Sequence, residues 1–222
     1  MRKSDTRKNR KEPVTVEMLE NYVRTYASDT ATLMDLRLAT MCILGFAGFF
    51  RFSELVNIRR SDIVFFESYM TIFVFKSKTD VYRDGNWVVI AKTNNSCCPY
   101  DLLKRYLSCA NILDSDSDEF IFRSVFYSKN KECYKLRVRP DVHISYIRAR
   151  ELLLSSLKSL GYDSKKFGLH SLRAGGASAA ANGGINDRLF KAHGRWKSEN
   201  AKDMYIKDDL HRKLSVTLGL GL

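Results

Sequence analysis

From Pro13 onward the apolar positions return at helical intervals. Val16, Leu19, Val23 and Tyr26 recur behind Thr15, whose hydroxyl suits a helix N-cap. Residues 32–49 are apolar almost all round, which predicts a helix buried at the centre of the core. A short helix through Leu55 and Ile58 follows Arg51. The period then changes: Met70-Thr71-Ile72-Phe73-Val74-Phe75 and Trp87-Val88-Val89-Ile90 are β-branched and aromatic runs on either side of a polar turn with Asp84-Gly85. They predict a β-hairpin whose loop carries Lys76, Lys78 and Arg83. Pro99, at a first-turn position, opens a helix with Leu102, Leu103, Tyr106 and Leu107 on one face. Residues 114–119 are an acidic loop, residues 120–140 suit one or two strands, and residues 144–160 read as an amphipathic helix stopped by Gly161. From His170 onward, short helices are separated by Gly183-Gly184, Gly194 and a turn at Lys197-Ser198, and no internal repeat is present. The pattern predicts a mainly α fold with a small antiparallel β-hairpin, an α+β chain.

Composition adds little to this beyond a core of ordinary size, with 222 residues, 45% apolar and 12% aromatic. Charge adds more. The 37 Lys and Arg against 25 Asp and Glu leave +12 at pH 7, and that excess asks for an anionic partner. Part of it is concentrated in residues 1–12, where Arg2, Lys3, Arg7, Lys8, Arg10 and Lys11 face only Asp5 and Glu12, and no apolar residue follows Met1. That stretch is expected to be a flexible basic arm or linker and no secretory signal, with the folded domain at residues 13–222. The most apolar window, residues 38–50, contains Thr40 and ends at Arg51, so no membrane span or membrane partner is expected. Cys42, Cys97, Cys98, Cys109 and Cys133 are odd in number and lack CxxC spacing, which favours free thiols in a reducing compartment, cytoplasm or nucleus, and no zinc site.

Four pieces of sequence carry candidate chemistry, and each has an ordinary reading on its own. Arg51-Phe52-Ser53-Glu54-Leu55 follows the most apolar helix, where an arginine is normally a solvated helix end. Lys78 in the hairpin loop could be any surface lysine. His170-Ser171-Leu172-Arg173 puts two polar side chains on one side of a helix start. Gly194-Arg195-Trp196, with Tyr205 nine residues after the tryptophan, could be simple aromatic packing.

In order and at these spacings, the pieces resemble the catalytic set of the tyrosine recombinases, the phage integrase family. Tyr205 lies thirty-two residues after Arg173 and nine after Trp196, similar to the family's distances. HSLRAGGASAAANGGINDRLFKAHGRWKSENAKDMYI resembles the family's C-terminal block, and GFFRFSELVNIRRSDI its first arginine motif. The resemblance covers roughly residues 13–220, and SKTDVYRDGNWVVI and HGRW are similar to mobile-element recombinases of the Crypton or DIRS type. It implies the tyrosine recombinase catalytic-domain fold without the N-terminal core-binding domain that usually precedes it.

The resemblance also implies a chemistry that these residue types suit. Tyr205 would attack a DNA phosphodiester and form a 3′-phosphotyrosine bond; a phenol ordinarily titrates near ~10, so surrounding cations must favour the anion that develops. Arg51 and Arg173 would clamp the phosphate, because a guanidinium is permanently charged and its planar fork engages two oxygens. Lys78 would protonate the leaving 5′-oxygen, with Lys76 the competing candidate because the hairpin register is open. His170 could donate a hydrogen bond or move a proton. Trp196 stands where the family has His or Trp and offers one N–H donor, with His193 the alternative for that role. Glu54 would buttress Arg51, and Gly175, Gly176 and the alanines after them would allow close helix packing. No metal, ATP or other cofactor is implied. The implied partners are double-stranded DNA and three further copies of the chain, with a C-terminal helix near residues 208–218 docking on a neighbour through Leu214, Val216 and Leu218.

Two other readings compete. The segment 170–196 can be a helix-turn-helix with residues 187–193 as recognition helix, which would suit a domesticated, catalytically inactive DNA-binding protein. A type IB topoisomerase shares the chemistry, but the short chain and the Gly-Arg-Trp segment argue against it.

Overall fold

The computed structural model describes residues 11–75 and 85–218, apart from the side chains of residues 212 and 215–217. Most of the expected basic arm, the hairpin loop with Lys76, Lys78 and Arg83, and the side chain of Val216 lie outside the described residues.

Helix α1 (Val16–Tyr26) starts where Thr15 accepts the Met18 N–H at 3.2 Å, and it buries Met18, Leu19, Tyr22 and Val23. Thr32 caps α2 (Leu33–Ala47) by accepting the Asp35 N–H at 3.2 Å. Every residue of α2 from Leu36 to Gly45 is buried, because α1 and three later helices, α4 (Pro99–Cys109), α5 (Tyr146–Ser159) and α6 (His170–Asn182), all pack around it. Each large apolar side chain covered in this way contributes roughly 1.5–3 kcal/mol. Helix α3 (Phe52–Val56) ends two residues short of Ile58, which enters the core from beyond its end.

The hairpin is part of a three-stranded antiparallel sheet of β1 (Ile63–Phe65), β2 (Tyr69–Val74) and β3 (Asn86–Ala91), in that spatial order. Strand β1 has three residues, too few for an alternation to register in the sequence. The β2–β3 register runs from Tyr69↔Ala91 to Val74↔Asn86, which turns Met70, Ile72, Val74, Val88 and Ile90 into the core. Helix α4 (Pro99–Cys109) has its proline in the first turn and lies against α2 and β3. The ambiguous stretch from residue 120 resolves into a second hairpin, β4 (Val125–Ser128) and β5 (Cys133–Leu136), with Glu132 in the left-handed region between them. Ser145 caps α5 (Tyr146–Ser159), and the last third folds as α6 (His170–Asn182), α7 (Asp187–Gly194), α8 (Glu199–Asp203) and α9 (Leu210–Leu218).

The fold is therefore mainly helical with small antiparallel sheets, as the pattern predicts. No helix among the described residues is long and apolar enough to cross a membrane, and none of the five cysteines is paired.

The turn after α2 positions the site. Phe49 has a φ of +47°, which is unusual for a bulky residue. That turn sends neighbouring aromatic side chains into different cores. Phe50 packs in the main core, whereas Phe49 enters a smaller cluster with Ala177, Phe190 and Trp196, against which Tyr205 lies. Arg51 is then delivered to the seam between the two. Helix α6 reaches the same seam because Gly175 and Gly176 let it approach closely; a Cβ on either would overlap the Val14 or Phe46 carbonyl oxygen.

Candidate active site

The seam holds a buried carboxylate surrounded by arginines. Glu54, in the first turn of α3, is 1% exposed at its side chain. Its Oε1 accepts from the Arg51 guanidinium at 2.6 Å, and its Oε2 accepts from the Arg51 backbone N–H at 2.9 Å and from Arg195 Nη2 at 2.8 Å. Arg173 Nη1 is farther from Oε2, at 3.6 Å. Burial alone would raise the Glu54 carboxyl, but Arg195, the Arg51 N–H, Arg173 and Arg51 together hold it below its ordinary value. Three guanidiniums against one carboxylate leave this cluster with two positive charges in excess.

Arg173 stands one turn into α6, three residues after His170, and none of its side chain is exposed. It donates through Nη2 to the Gly194 carbonyl at 2.7 Å and through Nη1 to the Phe49 carbonyl, while its Nε has no partner. Two aromatic rings cover it: its guanidinium carbon lies 4.9 Å from the Trp196 centroid and 4.8 Å from that of Tyr205. Such cation–π contacts contribute about 0.5–2 kcal/mol each, more when desolvated. Burial first, and then the like charge of Arg51, bring the Arg173 guanidinium down to about 10, so it remains protonated at neutral pH.

Trp196 packs on Phe49, Phe190 and Tyr205, with centroid distances of 5.9, 5.1 and 5.7 Å. Its Nε1 is buried without a hydrogen-bond partner. His193 is committed differently: its Nε2 donates to the Ala47 carbonyl at 2.8 Å, and burial lowers its pKa, so the ring is neutral at pH 7. That leaves Trp196, rather than His193, with an unused donor in the cluster.

Tyr205 follows α8, and its segment is held from two sides. Ser178 on α6 donates to the Tyr205 carbonyl at 3.2 Å and accepts the Lys207 N–H at 3.0 Å. Lys202 pairs with Glu199 at 2.6 Å and with Asp187, tying α8 to α7.

Arg51, Arg173, Trp196 and Tyr205 are thus brought together, with His170 exposed at the first position of α6 and Lys78 and Lys76 outside the described residues. Arg51 is 13% exposed at its side chain, far from a solvated helix end. The residue that sequence reasoning passed over is Arg195. It reads as a basic residue in a short turn, and only the fold brings it to Glu54, 141 positions away.

Comparison with known proteins bears on the family and the fold. Residues 15–212 match the phage integrase family. An integrase/recombinase xerD homolog of Selenomonas ruminantium is 30% identical over 207 residues, which are 93% of this chain and 57% of the relative. Among solved structures, the XerH site-specific recombinase in a post-cleavage complex with its palindromic difH substrate superposes with a TM-score of 0.68 at 15% identity, covering 93% of this chain and 52% of that one. The XerA recombinase gives 0.64 at 19%, over 93% of this chain and 65% of that one. A lambda integrase dimer bound to a COC′ core site gives 0.57 at 18%, over 90% and 49%. The chain spans between about half and two thirds of the length of these relatives.

Proposed function

The chain belongs to the phage integrase family, and from that premise we propose that residues 13–222 are the catalytic domain of a site-specific DNA recombinase that works through a 3′-phosphotyrosine intermediate. The observation that carries this reading is the convergence of Arg51, Arg173, Trp196 and Tyr205 on one seam, from the end of one helix, the start of another and two later turns.

Each group has a task that its chemistry suits. The Tyr205 phenol oxygen attacks the scissile phosphorus and forms the tyrosine–phosphate bond as the bond to the 5′-oxygen breaks. Arg51 and Arg173 neutralise the charge that builds on the non-bridging oxygens, and Trp196 Nε1–H donates to one of them. Lys78 gives its proton to the departing 5′-oxygen, and His170, on the exposed end of α6, relays the proton that leaves Tyr205. The free 5′-hydroxyl of another strand reverses the sequence, so bond energy is stored in the protein and neither ATP nor a metal is required. Arg173 is fully buried with the Tyr205 and Trp196 rings over its guanidinium, so a covering group has to move for a phosphate to enter, and we assign that movement to the partly exposed Tyr205 ring.

DNA is the partner that the positive excess suits, and four protomers would exchange strands. Helix α9 supports assembly, because Leu210, Leu214 and Leu218 repeat every four residues and all are exposed. The Gly194-Arg195-Trp196 segment supports a mobile-element enzyme of the Crypton or DIRS type, acting in the nucleus or the cytoplasm. The burial of Arg173 favours a second reading, a domesticated DNA-binding protein that no longer cleaves.

A pool of nicked duplexes with a randomised core, incubated with the chain in the presence of a metal chelator, separates the two. The recombinase reading expects a protein–DNA adduct that survives a denaturing gel. Binding without an adduct would favour the second reading.

A further inference from the structure

Arg195 holds its backbone at a φ of +56°, in the left-handed region where a glycine would sit without strain. Its side chain is nonetheless buried, and both of its terminal nitrogens are engaged, Nε alone having no partner. Nη1 donates to the Gly48 carbonyl at 3.1 Å and the His193 carbonyl at 2.8 Å, and Nη2 to the Phe49 carbonyl at 3.0 Å and Glu54 Oε2 at 2.8 Å. Two of these acceptors are shared with Arg173, which also donates to the Phe49 carbonyl and faces the same Glu54 oxygen.

We propose that Arg195 is a positioning residue that occupies Glu54 Oε2 and so keeps Arg173 available for the scissile phosphate, a role that rests on the recombinase reading. Arg51 takes Oε1 and Arg195 takes Oε2 at hydrogen-bond distance, which leaves Arg173 the outer member at 3.6 Å. If Arg195 were missing, Oε2 would be the strongest acceptor near Arg173. The two groups would close on each other, since a buried carboxylate without its partner is costly. The cluster would also fall from two excess positive charges to one, weakening its attraction for a phosphate whose negative charge grows in the transition state.

The test compares Arg195→Gly, which suits the left-handed backbone and should fold, with Arg195→Lys, Glu54→Gln and the Glu54→Gln/Arg195→Gly double variant. The substrate is the nicked duplex pool. At saturating DNA, Arg195→Gly should slow adduct formation by about 10–100-fold, the range for groups that orient a catalytic side chain. Its DNA affinity should change by less than about threefold, so the loss falls on kcat and not on KM. Glu54→Gln should recover part of the rate in the Arg195→Gly background while slowing the otherwise unaltered chain, because a neutral amide no longer captures Arg173. Arg195→Lys, with the charge but not the fork, should fall between the two. If the losses simply multiply and follow the fall in Tm, Arg195 is only a structural tie and the proposal fails.

Inorganic phosphate provides a readout independent of cleavage. Titrated against the side-chain NMR signals of the arginines, it should shift Arg173 in the unaltered chain and leave it unmoved in Arg195→Gly. Equal shifts in both overturn the proposal even where no duplex is cleaved, whereas an unaltered chain that responds to phosphate but forms no adduct refutes the recombinase reading alone.

Discussion

The Arg173 guanidinium carbon lies over the Tyr205 ring, 4.8 Å from its centroid, with no surface of the arginine side chain open to solvent. The proposed nucleophile thus covers the group that would hold its target. The contact has two consequences: it orders Tyr205 before DNA arrives, and it makes opening of the Tyr205 segment a condition of phosphate binding.

Arg173→Lys should reduce adduct formation by at least about 100-fold, because an ammonium cannot reproduce the fork that reaches two carbonyls while stacking on two rings. Duplex affinity, measured by fluorescence anisotropy, should change by less than about threefold, since one phosphate contact among many is altered. A proportional loss of both would make Arg173 a general backbone contact.

Trp196→Phe keeps an aromatic ring beside Phe49, Phe190 and Tyr205 and removes the indole N–H, which has no partner, together with part of the buried ring volume. A buried unpaired donor costs about 1–3 kcal/mol, and its removal offsets part of the cavity cost of the smaller ring, so Tm should fall only modestly. The cleavage rate should nonetheless fall about tenfold or more, the worth of a hydrogen bond to a charged oxygen. An unchanged rate would mean that Trp196 only packs.

The general acid can be identified by changing the leaving group. A duplex with sulfur in place of the 5′-bridging oxygen releases a thiolate that needs no proton, since thiols ionise near ~8.5. Lys78→Ala should be slow on the oxygen substrate and close to normal on the sulfur one, and Lys76→Ala should be near normal on both. The reverse pattern would assign the role to Lys76.

Glu54 links stability to pH with a definite sign. Its folded pKa lies below the ordinary 4.5, so the carboxylate contributes stability that is fully present above that value and is lost as pH falls through the lower folded value. Glu54→Gln should therefore be less stable than the unaltered chain at neutral pH, by about 3–5 kcal/mol if the pair behaves like other broken buried ion pairs. The gap in Tm should narrow as pH drops below 4.5. A gap that stays constant down to about pH 3 would show that the charge of Glu54 is not what holds the arginines.

Much of this architecture is legible in the sequence, because local rules govern it. The cap at Thr15, the all-apolar α2 and the β-branched and aromatic runs of β2 and β3 each leave a mark within a few residues. Arg51, Arg173, Trp196 and Tyr205 are legible as a set through their resemblance to the family's motifs, although nothing local says that they touch. The rest depended on contacts distant in sequence. Glu54 reads as a partner of Arg51 three residues away, and that pair exists; its other partners, Arg173 and Arg195, arrive only once α6 and the turn after α7 dock on the end of α2. The left-handed turn at Phe49 is equally silent, because phenylalanine carries no turn signal and the conformation is imposed by the two cores it separates.

The most direct test is to locate the DNA on the protein. After reaction with the nicked duplex pool, nuclease trimming and tryptic digestion, mass spectrometry should find a nucleotide remnant on Tyr205 and nowhere else, and Tyr205→Phe should yield no adduct while binding duplex as before. An adduct that persists in Tyr205→Phe, or a remnant on another residue, would contradict the assignment of Tyr205 as the nucleophile.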